Sequence, residues 1–252
     1  MRVTWIGHST VALELDGVCL LTDPVLRSRV THLTRARSAQ LVAPPRPDAV
    51  LVSHVHYDHL DLPSLRRFDR STRVVVPRGA GSLLRRQGFS QVVELLEGEE
   101  TQVGEVTVRA TRAVHDARRV FGSEVPALGF VIEGSTRTFF VGDTDLFDGM
   151  RDLATGLDLA LLPVAGWGPR VPAGHLDSQR AAEAVAMLRP RVAIPVHWGT
   201  YRRIGKHLPP AKLREPAESF ARLAAGLAPE VEVRLLEPGA SAELAVCEGA
   251  PA

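Results

Sequence analysis

Apolar residues along the chain occur in short runs, many of them alternating with polar residues, and glycine, proline and acidic residues separate the runs. Short alternating runs predict β-strands. In the first half, the predicted strands are residues 3–6, 11–15, 18–21, 50–52, 73–77 and 92–95. In the second half, they are residues 106–113, 128–132, 138–141, 159–164, 191–196 and 231–236.

Longer stretches with helical spacing of apolar residues follow several of these strands. They predict helices at about residues 60–68, 79–88, 178–188 and 213–227. Asp177 or Ser178 is the predicted N-cap of the third helix. Residues 25–47 are rich in Arg, Ser and Pro and predict a long, irregular surface loop. A loop of that length is usually either functional or disordered.

The order hairpin, strand, helix, strand occurs twice, over about residues 1–97 and about residues 98–240. Two mixed β-sheets packed face to face, with the helices outside, would bury both sets of strands. We therefore expect an α/β fold with internally duplicated halves. The whole chain, residues 1–252, is predicted to be a single domain that ends in a short disordered tail at residues 241–252.

Composition narrows the class of protein. Hydrophobic residues make up 45% of the chain, which is enough for a sizeable core. The net charge of +1 argues against a nucleic-acid partner. Two cysteines indicate neither a disulfide framework nor a cysteine zinc site. Because we recognise no signal peptide and no apolar run near the roughly 20 residues of a membrane helix, we expect a soluble, cytoplasmic protein.

The most informative stretch is Ser53–Asp61, which lies between the predicted strand at residues 50–52 and a predicted helix. In an extended segment, residues i and i+2 point to the same side, so His54 and His56 can bind one ion together. Asp58 and His59 follow where the chain turns, and can face a second ion. A purely structural role is a poor explanation, because neutral imidazoles crowd and charged ones repel. Imidazole with carboxylate suits zinc or another divalent metal.

Other polar residues also stand at the ends of predicted strands. Asp23 and Asp143 close the two hairpins, and both carboxylates approach one cleft if a pseudo-twofold axis relates the halves. Asp143 is therefore a candidate for a carboxylate that bridges two metal ions. His115 and His197 each end a predicted strand. Each alone would be interpreted as an ordinary hydrogen-bonded histidine, but their shared position favours a ligand role.

In this order, the motifs resemble the signature of the metallo-β-lactamase superfamily. The matching elements are His54-x-His56-x-Asp58-His59, His115, Gly142-Asp143-Thr144 and His197. Within the superfamily, the chain bears a closer resemblance to the branch that contains N-acylphosphatidylethanolamine-hydrolysing phospholipase D and L-ascorbate-6-phosphate lactonase. It rests on residues 4–10, 21–24, 53–61, 174–177 and 197–200. The resemblance covers about residues 3–201 and implies a four-layer αββα sandwich, in agreement with the duplicated halves.

The resemblance also implies a centre with two divalent metal ions. It assigns the first ion to His54, His56 and His115, the second to Asp58, His59 and His197, and the bridge to Asp143. A water or hydroxide shared by the two ions would be the nucleophile, since two ions about 3.5–4 Å apart lower the pKa of such a water. Zinc is the expected metal, with manganese and iron as alternatives.

The remaining polar residues have supporting roles in this interpretation. Asp58 is expected to act in catalysis as well as in metal binding. His175 and His8 are expected to hydrogen-bond the substrate, polarise its oxygen or protonate the leaving group. Packing is the alternative for both histidines, with equal weight for His8. Asp23 and Asp61 are expected to orient histidine ligands through their outer ring nitrogens.

Two tryptophans and a group of arginines are candidates for substrate contacts. Trp167 and Trp198 are expected in the substrate pocket, although Trp198 suits the core as well. The loop at residues 25–47 carries arginines that are candidates for contacts with an anionic substrate: Arg27, Arg29, Arg35 and Arg37. A solvated loop is the favoured interpretation. The alternative is a lid that attracts an anionic phosphate ester.

These observations lead to a hydrolase hypothesis. We expect a dinuclear metal-dependent hydrolase that cleaves a phosphodiester or related ester bond in a small anionic or ester substrate. A lactonase or carboxylic ester hydrolase of the same fold is the alternative, and a non-catalytic metal-binding protein is the alternative from another class. A nuclease is disfavoured by the near-zero net charge. A di-iron oxygen reductase is disfavoured because a carboxylate would be expected where His56 stands. The oligomeric state is not indicated.

Overall fold

A computed structural model of the chain describes residues 1–36, 39, 41–118, 125–153, 155–167 and 171–245. Its strands form two mixed sheets of seven strands each and a small third sheet of three strands. The expected α/β class, with two large mixed sheets, is therefore confirmed. None of the helices in these ranges is long and apolar enough to cross a membrane.

The first large sheet has the order β17-β1-β2-β3-β6-β7-β8. Its strands are β1 (Arg2–Gly7), β2 (Thr10–Leu15), β3 (Val18–Thr22), β6 (Ala49–Leu51), β7 (Arg73–Pro77), β8 (Val92–Leu95) and β17 (Ser241–Glu243). The second sheet has the order β16-β14-β13-β12-β11-β10-β9. Its strands are β9 (Glu100–Val103), β10 (Val106–Arg112), β11 (Leu128–Glu133), β12 (Arg137–Phe140), β13 (Leu159–Pro163), β14 (Val192–Val196) and β16 (Glu232–Val233).

Both large sheets have the same pairing pattern. From β17 to β3 the neighbours are antiparallel, and from β3 to β8 they are parallel. From β9 to β12 the neighbours are again antiparallel, and from β12 to β16 they are parallel. The repeated order of hairpin and strand–helix–strand in the sequence thus corresponds to a repeated sheet topology.

The helices are α1 (Leu62–Leu65), α2 (Gly81–Arg85), α3 (Ser178–Leu188) and α4 (Pro210–Leu227), with a 3-10 turn at Met150–Leu153. The predicted bounds of α3 are confirmed, and Asp177 caps it by accepting hydrogen bonds from the N–H groups of Gln179 and Arg180. The helices α1 and α2 are shorter than predicted, since the chain leaves each of them after little more than one turn.

Alternating side chains bury both faces of the first sheet. Leu20 and Leu51 belong to the large core that includes the second sheet, α3 and α4. Their neighbours Leu21 and Val50 pack on the opposite face with Leu65 of α1 and other residues of α1 and α2. This alternation is the period-two pattern of a strand buried on both sides, and it produces the expected αββα layering.

The predicted disordered tail is wrong for its first residues. The strand β17 pairs antiparallel with β1, and Leu244 beyond it is only 2% exposed. Without β17, β1 would expose a row of unpaired backbone groups at the edge of the sheet. Residues 246–252 lie outside the described residues.

The loop at residues 25–47 also contains structure that the sequence did not predict. β4 (Arg29–Val30), β5 (Leu33–Arg35) and β15 (Tyr201–Arg203) form the small third sheet, in the order β15-β5-β4. We call it the mini-sheet. Val30 and Leu33 are buried against Tyr201, so these residues are not an irregular surface loop. Pairing with a distant strand and burial of apolar side chains stabilise strands that are too short to be predicted locally.

Candidate metal centre

The candidate residues of the first half follow three strands that run in the same direction. β1 and β3 are both antiparallel to β2, and β6 is parallel to β3, so the carboxyl ends of β1, β3 and β6 lie at one edge. His8 follows β1, Asp23 follows β3, and His54 follows β6. Ligands of open α/β sheets bind at this type of edge.

The second sheet repeats this arrangement. β10 and β12 are both antiparallel to β11, while β13 and β14 are parallel to β12. His115, Asp143, Trp167 and His197 follow the carboxyl ends of these strands. The short distances between His56 and His115 and between His59 and His197 show that the two edges meet.

One group of nitrogens comes from both halves of the chain. The Nδ1 of His56 lies 3.1 Å from the Nε2 of His54 and 3.1 Å from the Nε2 of His115. One donor atom from each of the three lies within 4.8 Å of the others. The structure therefore brings together the three residues that the resemblance assigned to the first ion.

A second group lies beside the first. The Nε2 atoms of His59 and His197 are 3.3 Å apart, and Oδ2 of Asp58 lies 3.9 Å and 4.0 Å from them. His8 joins this group, with its Nε2 3.1 Å from the same Asp58 oxygen. The structure thus brings together the three residues expected for the second ion and adds a fourth donor.

Asp143 stands between the groups. Its Oδ2 lies 3.3 Å from the Nε2 of His59 and 3.5 Å from the Nε2 atoms of both His175 and His197. Its Oδ1 is buried and has no hydrogen-bond partner among the described residues. Since a buried carboxylate oxygen is costly without a partner, this orphaned atom fits a site for a cation.

Hydrogen bonds on the outside of the cluster fix the rings. The outer Nδ1 atoms have the following partners: Ser53 Oγ at 3.0 Å for His54, Asp23 Oδ2 at 2.8 Å for His59, Gly174 O at 2.8 Å for His115 and Ala165 O at 2.6 Å for His197. A carbonyl accepts only from a protonated nitrogen, so Nδ1 of His115 and Nδ1 of His197 each carry a proton, and Nε2 of each ring faces the cluster.

Burial and neighbouring charges set the protonation of the cluster. Burial and the nearby His197 lower the pKa of His8 to about 3, and burial lowers the pKa of His115 to about 4. Burial opposes ionisation of Asp143, but His197 and His59 outweigh it and hold the pKa of that carboxyl well below its usual range. Burial opposes the charged form of His59, but Asp143 and Asp23 outweigh it and raise the pKa of that ring well above its usual range. Because a metal ion binds neutral imidazole and ionised carboxylate, ion binding must release the proton that these carboxylates hold on His59.

Three residues of this region have strained backbones. His8, Asp23 and His197 have φ angles of +56°, +33° and +61°. Positive φ is uncommon for residues other than glycine and concentrates at functional sites. The turns that follow β1, β3 and β14 therefore hold these side chains at a conformational cost.

His8 and His175 lie in different environments. His8 is only 2% exposed, and its ring packs 3.9 Å from that of His197, which places it behind Asp58 and away from solvent. The side chain of His175 is 18% exposed, and its ring lies 4.5 Å from that of His115. The geometry favours packing for His8 and leaves His175 at the accessible side of the cluster.

Asp23 and Asp61 differ in their partners. Asp23 contacts His59, as expected. Asp61 does not contact a histidine in the described structure, so its expected orienting role is wrong. Its carboxylate accepts hydrogen bonds from Nε of Arg27 at 2.8 Å and from the N–H of Ser64 at 3.1 Å. Asp61 is the N-cap of α1, and that position directs its side chain to the helix.

The tryptophans also differ. Trp198 is 3% exposed, packs 4.9 Å from the ring of Trp5, and donates to the carbonyl of Pro195. It belongs to the core, so its expected place in the pocket is wrong. Trp167 is half-buried, and its Nε1 donates to Oδ2 of Asp58 at 2.8 Å.

Sequence reasoning missed one residue of the cluster. Ser53 donates from its hydroxyl to Oδ2 of Asp23 at 2.6 Å and lies 3.0 Å from Nδ1 of His54. It thereby joins the carboxylate that orients His59 to the ring of His54. The available signal was its position directly before the histidine motif, where a small polar residue ends an apolar run.

The arginines of the loop at residues 25–47 have separate environments. Arg27 pairs with Asp61. Arg35 is buried, with its Cζ 5.1 Å from the centre of the Tyr201 ring. Arg29 is exposed, and Arg37 lies outside the described residues.

Comparison with known proteins places this geometry in a family. Residues 19–198 match the family described as "Beta-lactamase superfamily domain". A metal-dependent hydrolase of Methanopyrus kandleri is 33% identical over 96% of this chain and 100% of that protein. N-acyl-phosphatidylethanolamine-hydrolyzing phospholipase D 1 of Caenorhabditis elegans is 30% identical over 79% of this chain and 64% of that protein.

A solved structure supports the fold. A metallo hydrolase from Ignicoccus hospitalis superposes with a TM-score of 0.74, at 24% identity, over 97% of this chain and 99% of that one. The fold similarity, the family match and the convergent histidines and aspartates agree. The chain belongs to the beta-lactamase superfamily domain family and is a member of the metal-dependent hydrolase superfamily with the metallo-β-lactamase fold.

Proposed function

We propose that this hydrolase holds two divalent metal ions, zinc first, and cleaves a phosphodiester or related ester bond. The observation that carries the proposal is Asp143, whose Oδ2 faces His59 and His197 while its buried Oδ1 has no partner among the described residues. His54, His56 and His115 would hold one ion, Asp58, His59 and His197 the other, and Asp143 would be shared. Manganese and iron are the alternatives to zinc.

The chemistry divides between the metal ions and the chain. When bound, two divalent ions lower the pKa of water and stabilise charge on the attacking and leaving oxygens. The chain keeps the donors fixed, since Ser53, Asp23 and two backbone carbonyls hold the outer ring nitrogens. Trp167 and His8 hold Oδ2 of Asp58. His175, on the accessible side, is available to donate a hydrogen bond to a substrate oxygen or the leaving group.

The phospholipase relative supports a phosphodiester as the cleaved bond. An open cleft of about 570 Å³ borders His115 and Gly174, and its size suits a small-molecule substrate. Hydrolysis of a lactone or carboxylic ester is the second candidate, since the same ions also polarise a carbonyl. A non-catalytic metal-binding role is the third. The expected cytoplasmic location stays a prediction.

The test measures metal content and turnover together. Purified protein is analysed for zinc, manganese and iron, and is assayed with bis(p-nitrophenyl) phosphate and a panel of lactones, with and without a chelator. We expect two metal equivalents and chelator-sensitive turnover of the phosphodiester. Faster turnover of lactones would favour the second candidate, and metal content without turnover of any ester would favour the third.

Two variants make this test specific to the proposed centre. Asp143→Asn should lose metal and turnover. Asp148→Asn removes the same charge from an exposed position on the same loop and should lose neither. Equal behaviour of the two variants would contradict the assignment of Asp143.

A further inference from the structure

Positive charge is distributed unevenly along the chain. The whole sequence has 30 basic and 29 acidic residues. Residues 24–47 and 197–214, by contrast, each contain five basic residues and no acidic residue. The rest of the chain therefore carries an excess of negative charge, and these two segments carry the positive charge that offsets it.

The fold joins these two segments in the mini-sheet. β5 comes from the first segment and β15 from the second, and they pair antiparallel. Arg203 lies opposite Leu33, whose side chain is buried beside Trp167, whereas Arg202 lies opposite Thr34. Because side chains alternate along a strand, Arg203 belongs to the face that contacts Trp167, which we call the inner face, and Arg202 belongs to the outer face.

Four of the ten basic residues in the two segments form ion pairs in the described structure. Arg27 pairs with Asp61, Arg46 with Asp69, Lys212 with Glu215 and Arg214 with Glu218. In the described ranges, no carboxylate lies within salt-bridge distance of Arg203, whose side chain is exposed. Arg203 is therefore a cation without an ionic partner on the inner face of a positively charged sheet.

Arg203 also lies close to the candidate metal centre. Its Cζ is 5.6 Å from the centre of the Trp167 ring, a cation–π contact. The Nε1 of the same ring donates to Asp58 at 2.8 Å. The ring of His32 packs edge-on against Trp167, at 5.1 Å. The indole of Trp167 thus separates the guanidinium of Arg203 from the carboxylate of Asp58. The same ring limits the directions in which the Arg203 side chain can move.

We propose that Arg203 binds an oxyanion of the substrate, a phosphate or a carboxylate, beside Trp167 and outside the metal ligands. A guanidinium presents paired N–H donors that match the two oxygens of such a group. The inference rests on the proposed function for the bond that is cleaved, but capture of the anion does not require turnover. It makes Arg203 a residue that selects anionic substrates over neutral ones.

The binding test uses phenylphosphonate, which contains no ester bond to hydrolyse. The purified holoenzyme is titrated while tryptophan fluorescence is recorded, since Trp167 is the half-buried tryptophan next to Arg203 and the other two are buried. Arg203→Gln should weaken binding about tenfold, the loss expected for a charge-assisted hydrogen bond. Arg202→Gln is the matched control on the outer face and should bind like the wild type.

The kinetic test compares anionic bis(p-nitrophenyl) phosphate with neutral p-nitrophenyl acetate. Arg203→Gln should lower kcat/KM about tenfold for the anion and leave the neutral ester unchanged. Added salt should weaken capture in the wild type more than in Arg203→Gln. An equal loss for both substrates, or an equal effect of Arg202→Gln, would overturn the proposal.

The two arms separate this inference from the proposed function. If no ester is hydrolysed, the proposed function fails, while the phenylphosphonate titration still tests Arg203. If both arginine variants lose binding to phosphatidylglycerol vesicles while phenylphosphonate binding is unaffected, the positive charge serves a lipid surface instead, and the proposal is wrong.

Discussion

At the residue scale, Oδ2 of Asp143 faces His59 and His197 of the second donor group, and a carboxylate oxygen of Asp143 lies within 4.8 Å of a donor atom of His115 in the first group. Oδ1 of Asp143 is buried without a hydrogen-bond partner among the described residues. An unsatisfied buried acceptor costs about 1–3 kcal/mol. His8, Asp23 and His197 add strained backbones in the same region. Local costs that concentrate in one place indicate that this region is organised for binding, since a cation would satisfy the oxygen that has no partner among the described residues.

Experiment can separate two roles of His175, as a metal ligand or as a group that contacts the substrate. Its Nε2 lies 3.5 Å from Oδ2 of Asp143, within reach of a ligand role, but its partial exposure favours contact with the substrate. We expect His175→Ala to retain its metal and to lose about 100-fold in turnover, within the range of acid–base groups. Metal analysis and steady-state kinetics on one preparation measure both quantities.

The control for this variant is His207→Ala, which removes an exposed histidine to which we assign no role. It should retain both metal and turnover. If His175→Ala loses metal in proportion to activity, His175 is a ligand of the centre rather than a group that contacts the substrate.

The comparison of Asp23 with Asp61 shows how far the sequence predicts the contacts of single side chains. The sequence predicted that both aspartates orient histidine ligands, but in the described structure only Asp23 contacts a histidine. Asp61 stands three residues before Ser64, and this spacing is itself an N-cap signal that outweighs the proximity to His59 in sequence. Residue types and their order predicted which side chains converge. The outer ring nitrogens of His115 and His197 have backbone carbonyls of distant loops as partners, which the sequence does not reveal.

At the element scale, the predictions succeeded where the signal is local. Asp16 and Gly17 lie between β2 and β3, which pair as the predicted hairpin. The predictions failed for β17 and the mini-sheet, which are short and pair with strands far away in the sequence. Such strands form because tertiary pairing satisfies their backbone groups, and intrinsic propensity has little influence on them.

The turn after β12 gives a prediction at this scale. Gly142 has a φ of +66°, and a Cβ there would lie 2.7 Å from the carbonyl oxygen of Leu128 and 3.1 Å from Cβ of Ser53. Gly142→Ala must therefore displace the chain that carries Asp143. We expect a loss of about 3 kcal/mol in the free energy of unfolding, from strain and overpacking, together with reduced metal content. Urea denaturation and metal analysis measure the two effects.

Gly156 provides a matched control, because its φ is also +66° but no atom of the part of the chain that the structure describes lies within 4 Å of an added Cβ. Gly156→Ala should cost only the strain of a left-handed residue, about 1–2 kcal/mol, and should keep its metal. Equal losses in the two variants would mean that the contacts with Leu128 and Ser53 do not restrain the turn.

At the scale of the whole molecule, the two sheets differ in the origin of one outer strand. In the second sheet, the outer strand β9 directly precedes its partner β10 in sequence. In the first sheet, the equivalent position beside β1 is taken by β17, from the far end of the described chain. The first sheet is therefore complete only when this last described strand has joined it. The single domain with two halves stays a prediction.

The centre also joins the two sheets, which leads to a final prediction about stability. Its donors come from both sheet edges, so metal ions that bind only the folded chain should raise the melting temperature. At a free metal concentration about 100 times the Kd, each ion adds about 2.7 kcal/mol. For a chain of this size, that corresponds to a rise of roughly 5–10 °C. Calorimetry with chelator, and again after zinc is restored, should show a reversible shift that is smaller in Asp143→Asn and unchanged in Asp148→Asn. If the chelator does not change the melting temperature of protein that is shown to contain metal, the bound metal lies outside this centre.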